Sequence, residues 1–249
     1  MAGPNEKERK PAGAIPADLA ADRRLFLEQL ARASESSESS GGEGASGGNT
    51  AAATFHVAPL SATALELLDR YARLLYEKIP TLALIAKGDR STLYTRHILD
   101  SLNPLSLFTK PPGCILDIGS GGGFPGLPLG IVWPETKVVL LESRERKAAF
   151  LERTVRQLGV RNVKVACERL EEHSRKKEPV YDVVFVRAVA ELARLIEIIA
   201  PSCLPGARWV YFAGGGIDRE QLSRELAITG RTGEEAAGAF GGRLLHGLV

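Results

Sequence analysis

An α/β fold, with a mostly parallel sheet and an N-terminal helical extension, is predicted by three observations. Apolar runs of strand length at 114–118, 137–141, 162–166, 181–186 and 208–212 are separated by segments that are mostly of helix length. That alternation implies a parallel sheet covered on both faces. The first run, Cys114-Ile115-Leu116-Asp117-Ile118, breaks at once into Gly119-Ser120-Gly121-Gly122-Gly123-Phe124-Pro125-Gly126. A strand feeding so bare a turn lets backbone approach a nucleotide closely. The second run ends in Glu142, an acid about 20 residues beyond the loop and able to accept both hydroxyls of a ribose.

Composition sets the outer limits. The 249 residues allow one domain of ordinary size plus extra segments, and 44% apolar residues can build its core. A net charge of +2 gives no bulk attraction for nucleic acid, so any RNA contact must come from a local basic face. The three cysteines, Cys114, Cys167 and Cys203, are scattered. Their spacing suits neither disulfides nor a metal cluster and fits a reducing compartment. No apolar stretch approaches membrane-spanning length, and Met1-Ala2-Gly3-Pro4-Asn5-Glu6 lacks a hydrophobic export core. A soluble, cytoplasmic protein that binds no membrane is expected.

Residues 1–57 are predicted to be a flexible N-terminal region. Within it, Leu19, Phe26 and Leu30 mark a short helix over 17–33, and 34–50 is a Ser/Gly/Glu-rich linker unable to bury a face. The fold is expected to tolerate removal of residues up to about Thr50. A helical part follows over 58–110. Ser61 is placed to cap a helix carrying Leu65, Leu68, Ala72 and Leu75, which should end near Ile79-Pro80. A further helical segment covers 92–102, where Arg96, His97 and Asp100 fall within about one turn. Without a second His or Cys at ligand spacing, this cluster reads as a hydrogen-bond network and no metal is assigned.

The strand–helix alternation occupies 111–249. A helix at 143–158 is closed by Gly159, another spans 191–199, a short one lies around 219–226, and 244–249 is a possible last strand. In such a sheet the ligand sits beyond the carboxyl ends of the strands, at the switch point. That rule gathers Gly119 to Phe124, Glu142, Leu170, Glu171 and Arg187. Asp117 would order the loop, Glu142 hold a ribose, and Leu170 and Glu171 flank an adenine. Glycine alone does not name the cofactor, because Gly121-x-Gly123-x-x-Gly126 also matches a dinucleotide-binding frame.

The loop Asp117-Ile118-Gly119-Ser120-Gly121-Gly122-Gly123-Phe124-Pro125-Gly126-Leu127-Pro128-Leu129 resembles that of one family. It is the bacterial small-subunit ribosomal RNA guanine-N7 methyltransferase family, also called glucose-inhibited division protein B. Four further stretches match in order: Arg96-His97-Ile98-Leu99-Asp100-Ser101-Leu102, Leu141-Glu142-Ser143 with Lys147 and Phe150-Leu151, Arg169-Leu170-Glu171-Glu172, and Arg187-Ala188. The resemblance covers about 60–212. It implies a Rossmann-like methyltransferase domain using S-adenosyl-L-methionine, with 16S ribosomal RNA or the small ribosomal subunit as partner and guanine 527 as the family's target. It places Gly119, Phe124, Leu170, Glu171 and Arg187 at cofactor positions, beside Gly121, Gly123 and Glu142 from the loop and strand reading. A monomer is expected.

N7 of neutral guanine carries a free lone pair and no proton, so no catalytic acid or base is assigned. Arg187, Arg144, Arg146, Lys147 and Arg153 are expected RNA contacts, with Arg175-Lys176-Lys177 a further basic run. The chain departs from the family in two places: Ala83-Leu84-Ile85 stands for Asn-Leu-Thr, and Ala213-Gly214 for Lys-Gly. Two alternatives stay open here. One is a nucleotide-dependent oxidoreductase, disfavoured by Asp117 and by the absence of a Tyr-x-x-x-Lys pair after the fourth strand. The other is a non-catalytic cofactor- or ribosome-binding member.

Overall fold

The structure, a computed structural model, describes residues 15–38, 58–175, 180–187, 192–212, 224, 226, 227, 233–240 and 242–249. Seven strands form one sheet in the order β3-β2-β1-β4-β5-β7-β6. They are β1 (Cys114–Ile118), β2 (Lys137–Leu141), β3 (Val163–Ala166), β4 (Tyr181–Arg187), β5 (Cys203–Phe212), β6 (Glu234–Ala237) and β7 (Arg243–Leu248). β1 to β5 are parallel, and β7 and β6 close the edge as an antiparallel hairpin. The chain reverses direction across the sheet between β1 and β4, which is the switch point.

Strand periodicity sorts the core into two layers, because alternate residues point to opposite faces. Ile115, Leu140, Val183, Phe185 and Phe212 share one hydrophobic cluster with α2 (Ala62–Leu82), α3 (Gly126–Val132) and α4 (Glu145–Leu158). Leu116, Ile118, Leu141, Val184, Val186 and Trp209 share the other with α6 (Leu192–Ile199) and Leu170, the first residue of α5 (Leu170–Ser174). Arg187 follows Val183 and Phe185 at a spacing of two, so its side chain belongs to the first face, toward the helical extension. Asp117 follows Ile115 to the same face.

The extension is packed into the first layer. α1 (Ala17–Glu38) is five residues longer than the predicted 17–33, and its Leu19 and Phe26 are fully buried. Arg23 forms a two-pronged pair with Asp69 of α2 at 2.9 and 2.7 Å. Asp22 accepts from the Tyr94 and Thr95 backbone N–H groups. The helix expected at 17–33 is thus docked on the core, its apolar stripe seated and its polar neighbours partnered across the chain, while most of the linker expected at 34–50 lies outside the described residues.

Several local signals hold. Ser61 Oγ caps α2 by accepting from Ala64 N at 3.1 Å, and Gly159 closes α4 in the left-handed region. α2 runs two residues past Pro80, because a proline in the last turn removes few backbone bonds; it ends at Ala83, itself left-handed at φ 46°. The helical segment at 92–102 is irregular, with a 3-10 turn over Lys87–Thr92, a π-helical turn over Tyr94–Leu99 and another 3-10 turn over Asn103–Leu107. α3, α5 and β6 are additions to the sequence reading. Most of the helix expected at 219–226, and the Ala213-Gly214 departure, lie outside the described residues.

Candidate functional site

Register places the site. Ile118 pairs with Leu141 on one side and Val186 on the other. The next residue on each strand is Gly119, Glu142 and Arg187, so three residues expected at the site stand in one row at the strand ends. Gly119 N–H and Ser120 N–H both donate to Leu141 O, at 2.8 and 3.1 Å, which folds the loop over the end of β2. Gly121 N–H then donates to Glu142 Oε2 at 2.9 Å, while Arg144 N–H donates to Oε1 at 2.8 Å. Each carboxylate oxygen has accepted one hydrogen bond and keeps a lone pair for another donor.

Gly119 and Gly121 hold φ of 73° and 55°, a region that L side chains rarely adopt. A Cβ on Gly119 would meet no atom within 4 Å, and one on Gly121 would lie 3.8 Å from the loop's own Gly119 O. Gly119 faces open space, and Gly121 meets only its own loop. The loop is therefore shaped to present backbone to a ligand.

Beneath it the packing is dense. Tyr71 Oη donates to Gly122 O at 2.8 Å. The Phe124 ring is buried, with the Tyr71 and His97 rings at centroid distances of 5.6 and 5.2 Å. Burial, helped by the nearby Arg187 charge, lowers the His97 pKa to about 4. The His97–Asp89 contact at 3.1 Å is thus a hydrogen bond from a neutral imidazole at pH 7.

Asp117 is fully buried. Its Oδ2 accepts from Gly126 N–H at 3.0 Å, and its Oδ1 has no partner among the described residues. Burial raises its carboxyl to about 7, against the pull of the Gly126 N–H, the Ser120 hydroxyl and Arg187. Its ordering of the loop runs through that bond at the start of α3.

Arg187 donates to Asp100 Oδ2 at 2.8 Å and to Arg96 O at 3.3 Å, and lies over Phe212. Its buried Nη1 has no partner among the described residues. Leu170 is buried in the layer that holds Ile118 and Leu141, and Glu171 beside it is exposed. The structure thus joins Gly121 to Glu142 directly, ranks Gly119 and Arg187 beside them, and packs Phe124 and Gly123 beneath. Leu170 and Glu171 sit to one side, on α5. Arg144, Arg146 and Arg153 are exposed and Lys147 is half-buried. Lys176 and Lys177 lie outside the described residues.

Sequence reasoning missed Tyr71 and the Arg187–Asp100 pair. The alternation Val183, Phe185, Arg187 was the available signal for the face that Arg187 occupies.

The site suits an adenosine with a charged amino-acid tail. The carboxylate of Glu142 retains acceptor capacity for a diol, the loop offers backbone and open space, and the guanidinium of Arg187, its side chain 23% exposed, puts a positive charge at the strand ends for an anionic group. These features fit S-adenosylmethionine.

Residues 64–237 match the family model for GidB, rRNA small subunit methyltransferase G. A ribosomal RNA small subunit methyltransferase G of Roseiflexus castenholzii is 44% identical over 152 residues, 60% of this chain and 64% of that protein. The chain thus spans slightly less than two thirds of that relative's length. The protein of the same name from Geobacillus kaustophilus is 33% identical over 181 residues, 72% of this chain and 76% of that protein. Among solved structures, the pyocyanin biosynthetic protein PhzM superposes with a TM-score of 0.51 at 13% identity, covering 70% of this chain and 61% of that one. That last likeness concerns the fold alone.

Proposed function

The chain belongs to the GidB family, rRNA small subunit methyltransferase G, and on that premise we propose that it transfers a methyl group from S-adenosyl-L-methionine to N7 of a guanine in 16S ribosomal RNA. The family's guanine 527 is the proposed position. The observation that carries the site assignment is the Gly121–Glu142 bond, which joins the glycine loop to the strand-two acid at the carboxyl ends of β1 and β2.

In this reading Glu142 takes the ribose hydroxyls, the backbone of Gly119 and Gly121 lines the amino-acid end, and Gly123, buried beneath them, supports the turn. Phe124, clamped by Tyr71 and His97, holds the loop in shape. Leu170 and Glu171 flank the adenine, one by packing and one at its polar edge. Arg187 faces the amino-acid carboxylate or the acceptor RNA with the exposed part of its guanidinium. The cofactor, when bound, supplies an electrophilic methyl on a sulfonium, which the unprotonated N7 of guanine can take without a general base. The protein's share is therefore alignment and exclusion of water. Arg144, at the end of the loop after β2, and Arg146 and Arg153, exposed on α4, are the proposed phosphate contacts, with Lys147. The guanine must be unstacked to reach the strand ends, which suits a structured RNA. A monomer in the cytoplasm is part of the same proposal.

Incubating the protein with labelled S-adenosylmethionine and 16S ribosomal RNA, naked and in assembled subunits, tests the activity. Label recovered as N7-methylguanosine is the expected result. Cofactor binding without transfer to either substrate would favour the non-catalytic reading.

A further inference from the structure

Asn103 is 1% exposed, and all four of its side-chain hydrogen bonds are made. Its Oδ1 accepts from Phe240 N–H at 2.9 Å and Gly242 N–H at 3.2 Å, both in the turn between β6 and β7. Its Nδ2 donates to Asp100 Oδ1 at 2.8 Å and Asp100 O at 3.1 Å. Two backbone donors on one side and two acceptors on the other leave only one orientation for the amide. The second oxygen of the same carboxylate, Asp100 Oδ2, receives Arg187 at 2.8 Å. The turn, Asn103, Asp100 and Arg187 therefore form one unbroken chain of hydrogen bonds.

The contact is tight on the turn side as well. Ala239 N–H donates to Asn103 O at 3.1 Å, and a Cβ on Gly238 or Gly242 would overlap the Asn103 side chain. The turn cannot shift without moving the amide that orients Asp100. A carboxylate held at both oxygens in turn fixes a planar guanidinium more narrowly than one free to rotate.

We propose that Asn103 and Asp100 are positioning residues for methyl transfer: they fix the direction of Arg187 at the strand ends and make it depend on the β6–β7 turn. This rests on the reading of Arg187 as a site residue. Neither residue needs to touch cofactor or RNA. The last hairpin of the sheet, remote in sequence, becomes a support of the site.

The test is a double-mutant cycle on single-turnover methyl transfer to 16S ribosomal RNA, expressed per folded molecule. Asn103→Asp keeps the oxygen facing the turn but sets a second oxygen against Asp100. Arg187→Ala should slow transfer roughly 10-fold or more, and Asn103→Asp several-fold. The double variant should be no slower than Arg187→Ala alone, since a positioner has nothing left to position. If Asn103→Asp does not fold, Asp100→Asn enters the same cycle, keeping an acceptor for Asn103 while removing the charge that holds Arg187. Unchanged transfer in these variants, or effects that multiply with Arg187→Ala, would overturn the relay while leaving Arg187 in the site. Wild-type transfer by Arg187→Ala itself would instead remove Arg187 from the site, and the relay with it.

Discussion

The Tyr71 hydroxyl donates to the Gly122 carbonyl at 2.8 Å, tying α2 of the helical extension to the middle of the glycine loop. Both groups are buried, so the bond cannot be replaced by bulk water. Tyr71→Phe keeps the ring against Phe124 but leaves the carbonyl without its donor. A loss of about 1–3 kcal/mol in stability is expected. Because the loop is then less well ordered, S-adenosylhomocysteine should bind roughly 5-fold more weakly, about 1 kcal/mol. Thermal unfolding and calorimetric titration check the two effects, and unchanged affinity would separate the helical extension from the site.

Ala83 ends α2 at φ 46° and ψ 50°, where an L residue other than Asn or Gly is strained by about 1–2 kcal/mol. Asn tolerates the left-handed region better than Ala does. Ala83→Asn should raise stability by up to about 1 kcal/mol and the unfolding midpoint by about 2–4 °C. A lower midpoint would mean that local contacts of the alanine methyl outweigh its backbone strain.

Much of this was legible in the chain. The strands of the parallel sheet, the Ser61 cap and the Gly159 stop are written locally, in apolar runs and single residues of special geometry. Gly119, Glu142 and Arg187 were legible because strand ends are. What escaped depends on distant partners. β6, Glu234–Ala237, has no β-branched residue and is a strand only because β7 pairs with it. Arg187 meets Asp100, more than 80 residues before it, and Asn103 meets a turn more than 130 residues away. The docking of α1 was half visible: Leu19 and Phe26 showed the stripe, but nothing local showed that Asp69 and Tyr94 would receive its polar side.

Asp117 makes stability depend on pH in a definite direction. Its carboxyl titrates at about 7 when folded and at about 3.9 in an unfolded chain. The folded state therefore holds the proton more tightly, and this group's contribution falls as pH rises from about 4 to about 7. His97 acts oppositely, with a folded value of about 4 against about 6.5 unfolded, so its contribution rises across that window. Asp117→Asn isolates the first effect. Its stability relative to wild type should increase between pH 5 and 8, by no more than about 1.4 kcal/mol per pH unit. A difference that is flat with pH would show that Asp117 is ionised throughout.

Removal of residues 1–57 deletes α1. Losing the buried Leu19 and Phe26 costs about 1.5–3 kcal/mol for each side chain, and Asp69 loses its two-pronged partner. A fall in the unfolding midpoint on the order of 10 °C is expected. An unchanged midpoint in scanning calorimetry would show that α1 contributes nothing to the core.

The glycine loop and Glu142 are the proposed S-adenosylmethionine site. Its most direct test is titration of S-adenosylhomocysteine into the wild type and Glu142→Gln side by side, with NAD as competitor. Binding to the wild type that NAD does not displace, weakened at least ~10-fold (about 1.4 kcal/mol) in a Glu142→Gln protein with a native far-UV spectrum, is the predicted result. Equal affinity in the two proteins, or displacement by NAD, would contradict it.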